Sequence, residues 1–107
     1  MIKALPMVST ASGRAVANQY IIRTDTSIVF QSYTSTIAVL AKATGRLTLG
    51  CHFDYSRTTV KYLHQFIDRY ASGNLRAAID SAPGSSYAAK LQHCIDCDII
   101  DYKGGLV

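Results

Sequence analysis

The sequence has no tryptophan, no glutamate, only two prolines and an odd number of cysteines, three. Each shortage removes a class of protein. Without Glu there can be no EF-hand, whose calcium loop closes on a bidentate Glu, and no H-E-x-x-H zinc protease. An odd cysteine count fits a secreted disulfide framework poorly, so the expected compartment is a reducing cytoplasm. No apolar run approaches the ~20 residues of a membrane span, and no membrane partner is expected. The leading segment has Lys3 and an A-x-A at Ala15 to Ala17, but Thr10, Ser12 and Arg14 break its short apolar stretch, so no cleavable signal is expected. There is no G-x-S-x-G elbow and no glycine-rich phosphate loop followed by Lys-Ser/Thr. No catalytic residue can be nominated, and the expectation is a protein without enzymatic activity or cofactor.

What remains is a chain of 107 residues, enough for one domain with its own core. Nearly half the residues are hydrophobic, which argues against disorder. The net charge of +4 is unevenly spread. Residues 1–46 carry Lys3, Arg14, Arg23, Lys42 and Arg46 against Asp25 alone, whereas basic and acidic side chains balance after residue 46. This excess suits an acidic partner but lacks the dense clusters of dedicated nucleic-acid binders.

Hydrophobic periodicity predicts an α+β fold: a four-stranded antiparallel β-meander followed by two or three helices packed on one face. After a small-residue lead-in over residues 1–18, the expected strands are Tyr20–Arg23, Ile28–Tyr33, Ile37–Lys42 and Leu47–Phe53, separated by turn-forming residues. In the last, Leu47, Leu49, Cys51 and Phe53 share one face. A helix is predicted from Ser56 to Ala71, capped by Asp54 or Ser56. Val60, Leu63, Phe66, Ile67 and Tyr70 form its apolar arc, opposite Arg57, Lys61 and His64. Shorter helices are expected over Asn74–Ser81 and from Ser85 or Ser86 to His93, then a strand within Asp98–Tyr102.

Four side-chain groupings carry candidate chemistry. The C-x-x-C at Cys94 and Cys97, with Cys51 and His52, suggests zinc. However, adjacent strand residues point to opposite faces, and only one such pair is present, so no metal site is expected. A redox role is disfavoured because the pair follows a helical pattern instead of opening one. Asp96, Asp98 and Asp101 read as solubilising charges around an apolar tail. Tyr33, Tyr55, Arg57, Lys61, Tyr62 and His64 are the candidate partner-binding residues, since rigid tyrosine rings are enriched at interfaces. Direct nucleic-acid binding is the alternative, through Arg14, Arg23, Lys42, Arg46, Arg57 and Lys61 with tyrosine stacking.

Two segments carry a resemblance. Phe30-Gln-Ser-Tyr33-Thr-Ser-Thr-Ile37-Ala and Asp54-Tyr-Ser-Arg-Thr-Thr-Val-Lys-Tyr-Leu-His-Gln-Phe66 resemble a family of short uncharacterised domains from bacteriophages and their bacterial hosts. That family pairs an S-Y-x-S/T-x-I-A strand with a D-Y-S-x-T-T-x-K-Y-x-x-Q-F helix entry. The likeness covers about residues 28–67. It implies phage or mobile-element origin and a bacterial host cell. It further implies docking on a host protein or ribonucleoprotein to inhibit it, as anti-CRISPR proteins do. It does not decide whether the second segment is functional or a helix-capping signature.

Overall fold

In a computed structural model, residues 3–8 and 13–106 are described. A six-stranded sheet in the order β1-β2-β3-β4-β5-β6 is combined with three helices. The strands are β1 (Lys3–Val8), β2 (Ala15–Arg23), β3 (Ser27–Ser32), β4 (Ser35–Ala41), β5 (Leu47–Leu49) and β6 (Asp101–Tyr102). The first five form an antiparallel meander and β6 pairs parallel to β5. The helices are α1 (Arg57–Tyr70), α2 (Gly73–Ser81) and α3 (Tyr87–Asp96). No helix among the described residues is long and apolar enough to cross a membrane.

The α+β class stands, but the expected four-stranded meander has five strands, and the strand expected within Asp98–Tyr102 is the sixth, β6. Much of the supposed lead-in is strand: β1 occupies Lys3–Val8, and β2 begins at Ala15. Thr10 and Ser12 lie outside the described residues. β1 is an edge strand, which is where a sheet tolerates a proline such as Pro6. The predicted strand Leu47–Phe53 stops at Leu49, and Gly50 makes one last bond in the β4 register before the chain turns. The Gly50 N–H donates to the Ile37 carbonyl, and the turn brings Phe53 N–H onto the Gly50 carbonyl. Phe53 is buried, whereas Cys51 is exposed and not the core residue that strand alternation predicts.

Serines cap all three helices. Ser56, Ser72 and Ser86 each accept from the backbone N–H three residues on, satisfying a donor that the first turn cannot pair internally. The α1 stripe is Thr59, Tyr62, Leu63, Phe66 and Ile67, all buried, with a spacing that keeps one helical face. It is rotated slightly from the predicted arc, and Val60 and Tyr70 become its half-buried edges. Phe66 stacks on Phe30 of β3, with ring centroids 5.9 Å apart, and also meets Tyr70. Ile79 of α2 and Leu91 and Cys94 of α3 join the same core as Ile37, Leu40, Leu47 and Leu49.

The C-x-x-C marks a helix stop. Asp98 takes a left-handed φ of 61°, its N–H donates to Ile95 and that of Ile99 to the Cys94 carbonyl, which is the Schellman closure of α3. Cys94 is buried, and burial pushes its thiol pKa up. Cys97 is exposed, with its Sγ 3.4 Å from His93 Nε2.

Leu63 is fully buried and Lys61 exposed. Leu63→Ala should therefore cost about 2–5 kcal/mol in a denaturant titration. Lys61→Ala should stay within about 0.5 kcal/mol.

Candidate functional site

Where α1 begins, the helix-covered face of the sheet changes from apolar to polar. On β2 the inward residues run from Ile21 to Gln19, and on β3 from Phe30 to Ser32. Gln19 pairs with Ser32, and Ser32 with Ser35 of β4, so three polar residues line up across three strands. They floor an open cleft of about 530 Å³ together with Ile37. Ser56, Thr58 and Thr59 of the helix start form one wall, with His52 and Tyr55 of the preceding turn beside them and Tyr33 at the rim. Among the described residues, no Asp, Lys or Arg lines it.

Backbone irregularities build this end of the molecule. The β1–β2 register shifts between Pro6 and Val8. In β2, Asn18 takes φ 64°, tolerable for Asn. Its carbonyl accepts from Tyr33 N–H at 2.6 Å. Tyr33 itself takes φ 54°, and its own carbonyl accepts from Gln31 Nε2 at 2.7 Å. A left-handed conformation costs an L-residue about 1–2 kcal/mol, so Tyr33 is held there against its preference. The ring is 63% exposed. At Gly50 a Cβ would lie 2.8 Å from the Thr36 carbonyl oxygen. Only glycine lets the turn carrying His52 and Tyr55 press this close to β4.

The ring of Tyr55 is 78% exposed and meets His52 edge-on at 5.9 Å. Beneath the rim, Gln19 is only 2% exposed and its Oε1 has no hydrogen-bond partner. Ser56 Oγ accepts from Thr59 N–H at 3.1 Å, and their hydroxyls lie 3.1 Å apart. The first turn of α1 contains no acidic residue, so the positive end of the helix dipole is not neutralised from within its own turn.

The residues expected to bind a partner separate into distinct places. Tyr33 and Tyr55 meet at the cleft. Arg57 and Lys61 line a shallower groove with Asp54, Val60 and Tyr87, between the starts of α1 and α3. Tyr62, at 8% exposure, lies in the core stripe, with Lys61 Nζ 5.2 Å from the centre of its ring. His64 is not a freely solvated histidine. It stacks on Tyr87 at 3.8 Å, with Nε2 3.4 Å from Asp68, and burial pushes the Tyr87 phenol pKa up.

The basic residues proposed for nucleic acid do not form one surface. Strand register places Arg23 and Lys42 at the sheet end opposite the cleft. Arg23 donates to Tyr70 Oη and lies over its ring, and Lys42 Nζ donates to the Thr24 carbonyl. Arg46 binds Asp101 through two nitrogens, at 3.1 and 2.8 Å, and Asp98 through its carbonyl and carboxylate. Arg14 is exposed ahead of β2. Two of the three tail aspartates are thus the partners of Arg46, and Asp96 accepts from Gln92. Among the described residues, no three His, Cys or Asp side chains are grouped to hold a metal ion.

Gln19, Ser32 and Ser35 were not among the expected partner-binding residues, and His52 was weighed only as a metal ligand. The available signal was polar residues at inward strand positions next to Ile21 and Phe30, where alternation calls for apolar side chains.

The chain belongs to a family of unknown function, DUF8033, whose model matches residues 3–81. That span contains the whole cleft and ends before α3 and β6. Neither a curated protein nor a solved structure matches the chain.

Two expected outcomes follow from this geometry. Tyr33→Gly should leave stability unchanged or raise it by up to about 1 kcal/mol, because glycine adopts this φ without penalty but gains freedom when unfolded. Gly50→Ala should cost about 1–3 kcal/mol as an overpacked contact. Thermal melts of the two variants check both.

At the far end, the hydrogen bond from Arg46 holds the Asp101 carboxyl below the usual carboxylate range. Its contribution is therefore present above the ordinary Asp value and is lost as pH falls through the lowered one. Because Arg46 and Asp101 remain partly exposed, solvent screening keeps the effect small. Arg46→Ala should remove that part of the acid limb in melts taken from pH 6 to pH 2.

Proposed function

We propose that this chain is a small binding protein without catalysis of its own, of phage or mobile-element type. In this reading it acts in the cytoplasm of a bacterial host. There it docks on a host protein or nucleoprotein and inhibits it, an anti-defence role of the anti-CRISPR kind. The observation that carries the reading is the cleft, where the two quoted sequence segments meet. Two exposed tyrosines stand over a floor and wall of Ser, Thr and Gln, with no Asp, Lys or Arg lining it. This is the chemistry of protein-binding surfaces: rigid rings supply area at low entropy cost, and small hydroxyls supply adaptable hydrogen bonds.

Direct DNA or RNA binding is the second reading, favoured by the net charge of +4 and by Arg57 and Lys61 sharing one groove. It is weakened because Arg23, Lys42 and Arg46 are bonded within the fold at the opposite end of the sheet.

Affinity capture from host lysate, with and without nuclease, separates the two. Capture of one protein should survive nuclease, and Tyr55→Ala should weaken it at least about tenfold, as loss of an aromatic anchor does. Bare nucleic acid should bind only in the ~10⁻⁴–10⁻⁶ M range at physiological salt. Sub-micromolar, selective binding to naked DNA or RNA would decide for the second reading. Its affinity should then fall with salt at a log–log slope near −0.7 to −0.9 per phosphate contact.

A further inference from the structure

The occupant of the cleft is constrained by Gln19. Its Oε1 is an acceptor shielded from solvent, in a residue that is 2% exposed, and among the described residues it has no hydrogen-bond partner. Buried acceptors in folded proteins are normally paired, so an orphan that lines a cleft points to a donor brought from outside. The opposite wall asks for the reverse. At the start of α1, Ser56 takes up the N–H groups of Thr59 and Val60. Those of Arg57 and Thr58 lie in the first turn, where no helical carbonyl is available. Thr58 lines the cleft.

Charge then selects among ligands. An anion suits the helix start but would face the Gln19 acceptor. A cation suits Gln19 but would sit against the positive end of α1, whose first turn holds no acid. A neutral group with a donor and an acceptor on neighbouring atoms satisfies both walls. Resting on the docking reading above, we infer that the cleft receives a carboxamide: the side chain of an Asn or Gln presented by the partner protein. Its NH₂ donates to Gln19 Oε1 and its oxygen accepts from the helix start. Tyr33 and Tyr55 close over the flanking chain. A nucleobase carries a similar edge, but it arrives with phosphates, and no Lys or Arg lines the cleft to receive them.

Nuclear magnetic resonance titration of the ¹⁵N-labelled full chain tests this with defined probes. These are N-acetyl-asparagine methylamide, N-acetyl-glutamine methylamide, the N-acetyl-aspartate and N-acetyl-lysine methylamides, and adenosine. The amide probes should cause saturable shifts at Ser32, Thr58 and the Gln19 side chain, with the charged probes at least about fivefold weaker. Gln19→Leu should abolish the shifts while its thermal midpoint stays or rises, because an unpartnered buried acceptor has been replaced by an apolar group. A clear fall in that midpoint would make Gln19 a structural residue and overturn the inference. Equal response to a charged probe, binding retained in Gln19→Leu, or no response to any probe would also overturn it. If no probe binds but Tyr55→Ala still abolishes capture of a host protein, the amide assignment fails and the docking surface stands. If adenosine saturates the cleft below every amide probe, both give way to nucleic-acid binding.

Discussion

The seating of α1 on the sheet governs everything else. Phe66 lies on Phe30, and Leu63 and Ile67 are fully buried beside them, each such side chain contributing about 1.5–3 kcal/mol of transfer free energy. With 14 residues the helix is about 21 Å long, enough to reach both ends of the central strands. Its C-terminus meets Arg23 through Tyr70 and carries Arg69 in its last turn. Cations there complement the negative end of the helix dipole. Its N-terminus opens over Gln19, Ser32 and Ser35 with no acidic residue in its first turn. One packing contact thus sets the electrostatic contrast between the two ends of the molecule.

That contrast extends to how well each end is satisfied. At the Arg46 end, guanidinium and carboxylates pair, and the helix stop at Asp98 closes its own hydrogen bonds. At the cleft end, an orphaned buried amide oxygen, a tyrosine in left-handed conformation and a glycine-dependent close approach gather at one place. A sequence shaped only for stability would place an aliphatic residue at position 19 and glycine at 33. Backbone strain and unpaired polar groups survive in a fold where the rest of the structure over-determines them, and they concentrate at functional sites.

Much of the fold was legible from periodicity because its signals are local. α1, its serine cap and the central strands follow from spacing and turn residues close in sequence. β1 was not legible, since Pro6 interrupts a short run and only pairing with β2 makes it a strand. The alternation of Leu47–Phe53 continued on paper beyond Leu49. What ends the strand is the turn that brings Phe53 N–H onto the Gly50 carbonyl, and the close packing against the Thr36 carbonyl admits only glycine there. The apolar arc of α1 was rotated slightly because Thr59, buried and bonded to Ser56, does not register as apolar and Tyr62 was assigned to an interface. Half the cleft was visible as sequence motif. Gln19 was not, because only strand register places it beside Ser32 and under the helix start.

The two motif segments can be divided by asking what folding alone requires of them. In Asp54-Tyr55-Ser56-Arg57-Thr58-Thr59, capping accounts for Ser56 and Thr59, whose backbone and hydroxyl contacts close the first turn. It does not account for Tyr55, which is exposed, or for Thr58, which makes no part of that cap. In Ser32-Tyr33-Thr34-Ser35-Thr36-Ile37-Ala38, burial accounts for Ile37 and Ala38. Turn geometry would select Gly or Asn at position 33, not an aromatic residue. Among the residues that the folding requirement leaves over, Tyr33, Tyr55 and Thr58 border the cleft above Gln19, whereas Asp54 and Arg57 line the neighbouring groove. The convergence of Tyr33, Tyr55 and Thr58 on one cleft is the observation on which the proposed docking reading rests.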